Sequence, residues 1–439
     1  MTQTESTRGK WMALIAALLG WMFDGFEMGI IPVVAKPALI DLLGLSKVNG
    51  LAIHGSDPQI REEAKKRVDG PVGLWNGRIT AAFLIGAALG GWGFGWLGDR
   101  LGRVRAMVFS VLTYALFTGL CGLALEPWQL AGLRFLAALG MGGEWSLGVA
   151  LVMESWEPGA RPTLAGLIGA ASNVGFLLAG VLVMGMEATG LKVADGGWRL
   201  VLGICAFPAL LTFFIRMFVP ESEKWREAVK VAPQARFAEI FAPSLRRRTI
   251  VAALLGGIAL LGTWGSVQWI PPWVAIMTND QGAASKAQVF SAIGAIVGSF
   301  LGAVFAHRFR RRMAYFTLCL GSVIVCAFLF RYFDGSMEVG LPFYLTVVLT
   351  GAFTASFYGW LPLYLPELFP TRLRATGQGF GYNFGRIIAA VGALSMGILI
   401  NDVFGGSFAK AGATISLIYL AGMAVIWLAP ETHGQPLPD

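Results

Sequence analysis

The 439-residue chain is 56% hydrophobic and only 14% charged, carries 58 glycines and has a mean hydropathy of +0.65, a balance that excludes an ordinary soluble domain. Its net charge of +8 comes from basic residues that recur between apolar runs rather than gathering in one patch, which excludes a nucleic-acid surface and points to membrane topology. The four cysteines, Cys121, Cys205, Cys319 and Cys326, are scattered inside apolar runs, so they read as free buried thiols and not as a disulfide framework or metal knuckle.

The first apolar run begins at Trp11 and has no small-residue cleavage site after it, so it reads as a retained span. It contains Asp24 and Glu27, three residues apart and therefore on one helix face. A bare carboxylate near the bilayer centre costs at least ~2.5 kcal/mol, so the pair must face a protein interior, and it marks a candidate site. Apolar runs place spans at 11–37, 73–97, 104–124, 128–153, 163–187, 198–219, 249–274, 286–306, 313–331, 340–366, 375–400 and 411–429. Residues 41–72 form a long loop in which Asp57, Glu62 and Glu63 mix with Lys65, Lys66 and Arg67; a short solvated helix is expected there, with no chemistry assigned. Residues 220–248 are polar and basic and read as a linker between six-helix halves at 1–219 and 249–439, the second ending in a short tail from Pro430. The expected fold is an all-α integral membrane protein of twelve transmembrane helices in two pseudo-symmetric six-helix bundles. Lys and Arg gather at Arg8 and Lys10, at Arg100 to Arg105, at Arg161, at Arg216 to Arg248, at Arg308 to Arg312, and at Arg372 and Arg374. By the positive-inside rule that side is cytoplasmic and holds both termini, which predicts a multi-pass protein of the cytoplasmic (inner) membrane, in contact with lipid and monomeric.

The halves repeat. Glu154 and Arg161 after the fourth span recur as Glu367 and Arg374 after the tenth, and Asn173-Val174-Gly175 recurs as Asn383-Phe384-Gly385. Pro220-Glu221-Ser222 recurs as Pro430-Glu431-Thr432, and the loop from Gly95 to Arg105 recurs, degraded, from Gly302 to Arg312. Paired bundles place a cavity at their interface and let one half rock against the other, the geometry of alternating access.

Three strings carry a family resemblance: Gly95-x-x-x-Asp99-Arg100-x-Gly102-Arg103, the span-four string RFLAALGMGGEW, and YLPELFPTRLRATGQG from Tyr364 to Gly379. They resemble the major facilitator superfamily, in its sugar and organic-ion transporter branch, and the resemblance covers essentially the whole chain. Asp24-Gly25-Phe26-Glu27 is similar to the DGxD of aromatic-acid:proton symporters, and Gly142-Gly143-Glu144-Trp145 to the GGEW of metabolite and sialate or lactate symporters. Arg386, twelve residues after Arg374, matches a spacing of organic anion transporters in which the second arginine is implicated in anion binding.

At 1.5 Å per residue, Asp24 and Glu27 lie about 20 and 24 Å from the cytoplasmic end of their span, and Arg134 about 9 Å from the external end of its own. Glu144 lies about 15 Å above Glu154 and Arg386 about 18 Å above Arg374, near the midplane with Asp24. Arginine does not deprotonate, so titration falls to the carboxyls. A desolvated carboxyl whose distance to an arginine changes between conformations is a proton switch. Glu27 with Arg134 is the expected switch, with Asp24 or Glu144 as the second proton position; a static buried pair is the competing reading. Arg386 has a fork suited to a carboxylate and is the expected substrate anchor, unless Asp24 or Glu144 neutralises it. Asn173, Asn383, Trp264, Gln268, Tyr358 and Tyr382 are expected around the cavity, and span seven lacks the paired glutamines with which the branch's sugar porters look to hold hydroxyls.

Asp99, Arg100 and Arg103 resemble the family's cytoplasmic latch, and Glu154 with Arg161 and Glu367 with Arg374 are expected to add charge pairs there. Ala306 stands at the Asp99 position of the second half and His307 at the Arg100 position, so gating should be asymmetric; the Arg308 to Arg312 cluster fits an anchor facing anionic lipid. His54, His307 and His433 lie in loops, and no enzymatic triad, metal-ligand spacing or phosphate loop is present in the sequence, so neither an enzyme nor a metal or cofactor is expected. The reading is a proton-coupled symporter of a small organic anion, a mono- or aromatic carboxylate. The alternatives are a sugar or polyol carrier, an organic cation carrier, a uniporter or a receptor on a carrier scaffold.

Overall fold

The computed structural model describes residues 7–54, 57–191, 193, 196–207, 211–231, 235–278, 281–333, 339–398, 403–405 and 407–438. The parts of the expected loop, sixth span, linker and eleventh span at 55–56, 208–210, 232–234 and 399–400 lie outside the described residues. The first half comprises α1 (Thr7–Leu42), α2 (Ser46–His54), α3 (Pro58–Leu101), α4 (Arg103–Cys121), α5 (Pro127–Ser155), α6 (Arg161–Ala188), α7 (Gly197–Ile204) and α8 (Leu211–Phe218). A connector follows with α9 (Glu223–Val231) and a 3-10 turn at Phe237–Phe241. The second half comprises α10 (Arg246–Gly265), α11 (Ile270–Thr278), α12 (Gln281–Arg308), α13 (Arg311–Tyr332), α14 (Leu341–Ala355), α15 (Phe357–Tyr364), α16 (Arg374–Ile398), α17 (Phe408–Ser416) and α18 (Ile418–Val425).

Ten helical stretches among the described residues are long and apolar enough to cross a membrane. The two further expected crossings are α7 with α8, on either side of 208–210, and α16, whose Arg374, Gln378, Asn383 and Arg386 lower its hydropathy. The loop expected at 41–72 is different in kind. Asp57 caps α3 by accepting from the Gln59 amide at 2.8 Å, Pro58 occupies the first turn, and Glu63 holds Arg67 at 2.6 Å one turn on. These local ties keep the polar turns helical, so one 44-residue helix runs through Pro71 where a separate short helix was expected.

Trp156 donates to the Lys10 carbonyl at 3.2 Å, and Arg374 reaches both Glu154 and the Pro438 carbonyl, so Lys10 and Pro438 lie at one face of the bundle, here the terminal face. The opposite side is the far face. Between the halves α3 packs on α16 and α6 on α12 and α15. Small residues allow these crossings. A Cβ on Gly91 would lie 2.0 Å from Asn383 Nδ2, and one on Gly169 would lie 2.5 Å from the Tyr358 carbonyl oxygen. The four cysteines are buried and unpaired.

One helix is broken about 28 Å beyond Arg248, toward the far face. Pro271 has no amide hydrogen to give the preceding turn, and a 3-10 turn at Val267–Trp269 separates α10 from α11. Irregular backbone is tolerated at such depth where it borders a cavity, and this break carries Gln268 to the cavity described next.

Candidate functional site

A cavity of about 60 Å³ lies between the halves, walled by Trp21 of α1, Asn173 of α6, Trp264 and Gln268 at the break, Tyr358 of α15 and Arg386 of α16, with Tyr382 beside it. Two lobes adjoin it. One of about 210 Å³ shares Met28, Trp264 and Gln268 and extends to Arg134 and exposed Asn76; the other, of about 80 Å³, shares Asn173, Gln268 and Tyr358. The ring of Tyr382 stacks on Trp145 at 4.0 Å between centroids, which fixes the aromatic wall. The Arg386 guanidinium lies 5.4 Å over that same tyrosine ring. Arg386 is 3% exposed, and its Nη1 has no hydrogen-bond partner.

Asn383 is the exception among the residues expected around the cavity. Its Nδ2 donates to the Gly142 carbonyl at 3.2 Å and the Gly379 carbonyl at 2.9 Å, so it joins α16 to α5 and does not border the cavity. The repeat pairs it with Asn173, but Gly91 draws the second-half asparagine into a helix contact. Asn173 borders the cavity and donates to Ser299 of the second half at 3.4 Å.

The acids divide into two groups. Glu27 contacts Arg134 Nη1 and accepts from the Thr118 hydroxyl at 3.1 Å through the same oxygen. Asp24 and Glu144 face each other, and the charge of Arg386 acts on Asp24. Neither carboxyl of this second pair receives a hydrogen bond from any other described group. Glu144 fits because residue 20 is glycine: a Cβ there would lie 1.6 Å from Glu144 Oε1.

The terminal face is tied shut. Asp99, 1% exposed, accepts from Arg103 Nη1 at 2.5 Å and, across the halves, from the Ala375 and Thr376 amides at 3.2 and 2.7 Å and the Thr376 hydroxyl at 2.6 Å. It thus caps the N-terminus of α16, in the half to which it does not belong. Glu154 Oε1 receives both Arg103 and Arg374, each at 3.0 Å, while Arg103 also donates to the Thr371 carbonyl at 2.8 Å. The expected pairs Glu154–Arg161 and Glu367–Arg374 are not formed among the described residues. Arg161 donates instead to the Trp156 carbonyl, because Glu154 is already saturated, and Glu367 takes Arg311 at 2.8 Å. Arg100 is exposed, with its guanidinium 4.8 Å over the Trp96 ring.

Several participants were missed from the sequence. Glu221 accepts from the Arg103 and Val104 amides at 2.8 and 3.1 Å, and Ser222 donates to Glu154 at 2.5 Å. Glu431 accepts from the Arg311 and Arg312 amides at 3.0 and 3.2 Å, and Thr432 donates to Glu367 at 2.5 Å. The recurrence of Pro-Glu-Ser as Pro-Glu-Thr was the signal for all four. The second half keeps part of this network, one residue out of the register read from the sequence: Arg311 gives to the Ala306 carbonyl at 2.6 Å as Arg103 gives to the Gly98 carbonyl at 2.8 Å, so His307, not Ala306, stands at the Asp99 position, and among the described residues Glu367 takes Arg311 without the second, cross-half arginine that Glu154 has.

A family profile described as "Sugar (and other) transporter" matches residues 12–240. The inner membrane metabolite transport protein YgcS of Escherichia coli (strain K12) is 30% identical over 398 residues, covering 82% of this chain and 84% of its own. The cis,cis-muconate transport protein of Acinetobacter baylyi (strain ATCC 33305 / BD413 / ADP1) is 29% identical over 358 residues, 78% of this chain and 82% of that protein. The major facilitator proton:xylose symporter XylE, solved with 6-bromo-6-deoxy-D-glucose, superposes at a TM-score of 0.76 and 15% identity over 98% of each chain, a likeness of fold.

Proposed function

Because the chain belongs to the sugar (and other) transporter family of the major facilitator superfamily, we propose that this carrier moves a small organic anion, a mono- or aromatic carboxylate, inward with one or more protons. One observation carries the substrate class. Arg386, whose Nη1 has no hydrogen-bond partner among the described residues, lines a cavity whose other walls include Trp21, Trp264 and Tyr358. Aromatic faces suit a flat apolar body, and a guanidinium edge suits a carboxylate through two parallel hydrogen bonds. A relative named for cis,cis-muconate, itself a carboxylate, agrees with this chemistry.

Proton coupling is assigned to the Glu27–Arg134 ion pair as the switch, with the facing Asp24 and Glu144 carboxyls as the second proton position. Two facing carboxyls with no other donor are satisfied when one holds a proton and donates it to its neighbour. The charge of Arg386 acts on Asp24, so an anion that neutralises Arg386 favours retention of a proton by the carboxyl pair. A monoanion carried with one proton moves no net charge and is driven by the pH difference, about 1.4 kcal/mol per unit; each uncompensated charge would add about 2.3 kcal/mol per 100 mV.

Alternating access follows if residues 1–219 and 249–439 move as two bodies joined by 220–248. The terminal face is cytoplasmic in this reading, in the cell's inner membrane, and the carrier works as a monomer. With Asp99, Arg103, Glu154 and Arg374 joined, the inside is closed; Arg161 and Arg311 with Glu367 hold the loops of each half. Two measurements test the proposal. In a thermal-shift screen of carboxylates, sugars and amines, carboxylates should stabilise wild type, and Arg386→Ala should need at least tenfold more carboxylate for the same shift. In proteoliposomes Glu27→Gln and Asp24→Asn should abolish uphill, pH-driven uptake, and retention of it by both would end the coupling scheme.

A further inference from the structure

Arg134 edges a different lobe of the cavity from Arg386 and is only half engaged. It is 2% exposed, its Nε makes no hydrogen bond among the described residues, and its guanidinium is held 4.6 Å over the Phe83 ring. Its partner Glu27 uses one oxygen for both Arg134 and Thr118, leaving Oε2 without a bond. A buried guanidinium that lines an open lobe and has donor capacity left unfilled can receive a carboxylate. That lobe also carries the polar side chains of Asn76, Thr80 and Gln268, and it meets the Arg386 cavity along Met28, Trp264 and Gln268.

Depth separates the two arginines. Glu154 and Arg374 touch, so both helices can be counted from one level. Arg134 is 20 residues from Glu154, about 30 Å, and Arg386 is 12 residues from Arg374, about 18 Å. A path of about 12 Å is longer than most small carboxylates, so the two positions would be filled in turn.

Resting on the reading of the substrate as an organic anion, we propose that Arg134 is a separate entry station for carboxylates. The incoming carboxylate takes the guanidinium from Glu27, and Glu27 takes one proton from water in the lobe. Charge balances: the ion pair Glu27–Arg134 becomes a substrate–Arg134 pair and a neutral Glu27 acid, one anion and one proton having entered. The groups around Glu27 agree with this exchange. α5 presents Arg134 and α4 the Thr118 hydroxyl; α6 presents Phe176 and Ala179 beside Gly29; Asp24 on the same helix is directed to Glu144. Arg134 itself lies over the Phe83 ring of α3, and its charge reaches Cys205 after α7.

The experiment uses full-length protein and titrates benzoate, nicotinate and adipate, with benzamide as the uncharged control, while an indicator dye follows protons in weakly buffered solution at about pH 7.5. Arg386→Ala should bind a carboxylate saturably, tenfold or more weaker than wild type, with uptake of a proton. Adding Glu27→Gln should tighten that binding at least tenfold and abolish the proton uptake, because the guanidinium is already released. Adding Arg134→Gln to Arg386→Ala instead should remove binding. No carboxylate binding by Arg386→Ala, or an affinity indifferent to Glu27→Gln, overturns the entry station while leaving the Arg386 site intact. A wild type that binds none of the three acids, or binds benzamide equally, overturns the anion reading beneath it. Melting temperature and gel filtration establish that each variant is folded.

Discussion

Replacing Asp99 by asparagine tests how the two halves hold the terminal face closed. The shape is kept and the charge removed. Three of the bonds to Asp99 come from α16 of the other half, two from backbone amides and one from the Thr376 hydroxyl. A hydrogen bond to a charged group contributes about 1.5–3 kcal/mol and a neutral one about 0.5–1.5, so each weakens by about 1 kcal/mol. Asparagine also offers one oxygen where the carboxylate offered two. The closed terminal face should lose about 3 kcal/mol relative to the open one, on the order of a hundredfold in the equilibrium. Hydrogen–deuterium exchange reads this directly, because the Ala375 and Thr376 amides have Asp99 as their acceptor. Their protection should fall by about two orders of magnitude while the middle of α16 is unchanged. Protection equal to wild type at both amides would refute the idea that a carboxylate from the first half caps this helix.

Gly20→Ala should press on Glu144, where a Cβ would lie 1.6 Å from Oε1, and separate it from Asp24; pH-driven uptake should fall at least tenfold in proteoliposomes while the protein still folds. Gly91→Ala should force α3 away from Asn383 and cost about 1–3 kcal/mol, read as a lower melting temperature in detergent. Glu221→Gln removes the charge that caps α4 from the connector, and about 0.5–2 kcal/mol of stability should go with it in the same assay. Glu239 in the connector is held below its usual carboxylate range chiefly by its hydrogen bond from Arg372. A lowered folded value means the tie is present above the ordinary carboxylate range near 4.3 and is lost as pH falls through the folded value. Protease cleavage near Phe237–Phe241 should therefore rise on acidification, and Arg372→Gln, at a partly exposed pair, should change stability by less than about 1 kcal/mol.

Span placement was legible because hydropathy depends on local composition, and counting residues along each helix brought Glu27 to the depth of Arg134. Partner choice was harder to read. Glu154 lies seven positions before Arg161, yet it binds Arg103 and Arg374, because a buried acid is taken by whichever guanidiniums the packing delivers. Glu367 likewise goes to Arg311, whose importance was hidden in a run of basic residues that suggested lipid contact. Asn383 was misplaced by symmetry: the repeat preserves its position on the helix, whereas the glycine opposite it belongs to only one of the two interfaces. Glu221 and Glu431 were visible as repeats, but their role as acceptors for helix-terminal amides depends on how the connector and tail fold back.

The length of α3 has a mechanical consequence. Asn76, at the mouth of the far-side lobe, and Asp99, in the latch, are 23 residues apart on this one helix, about 35 Å, and Pro71 lies outside the interval. A rod pivoting on its contact with α16 swings its ends in opposite directions. If the halves rock as proposed, release of Asp99 from α16 carries Asn76 inward over the lobe, and one portal narrows as the other widens without any relay of side chains between them. The same lever makes a fluorophore placed at residue 76 a remote gauge of the latch.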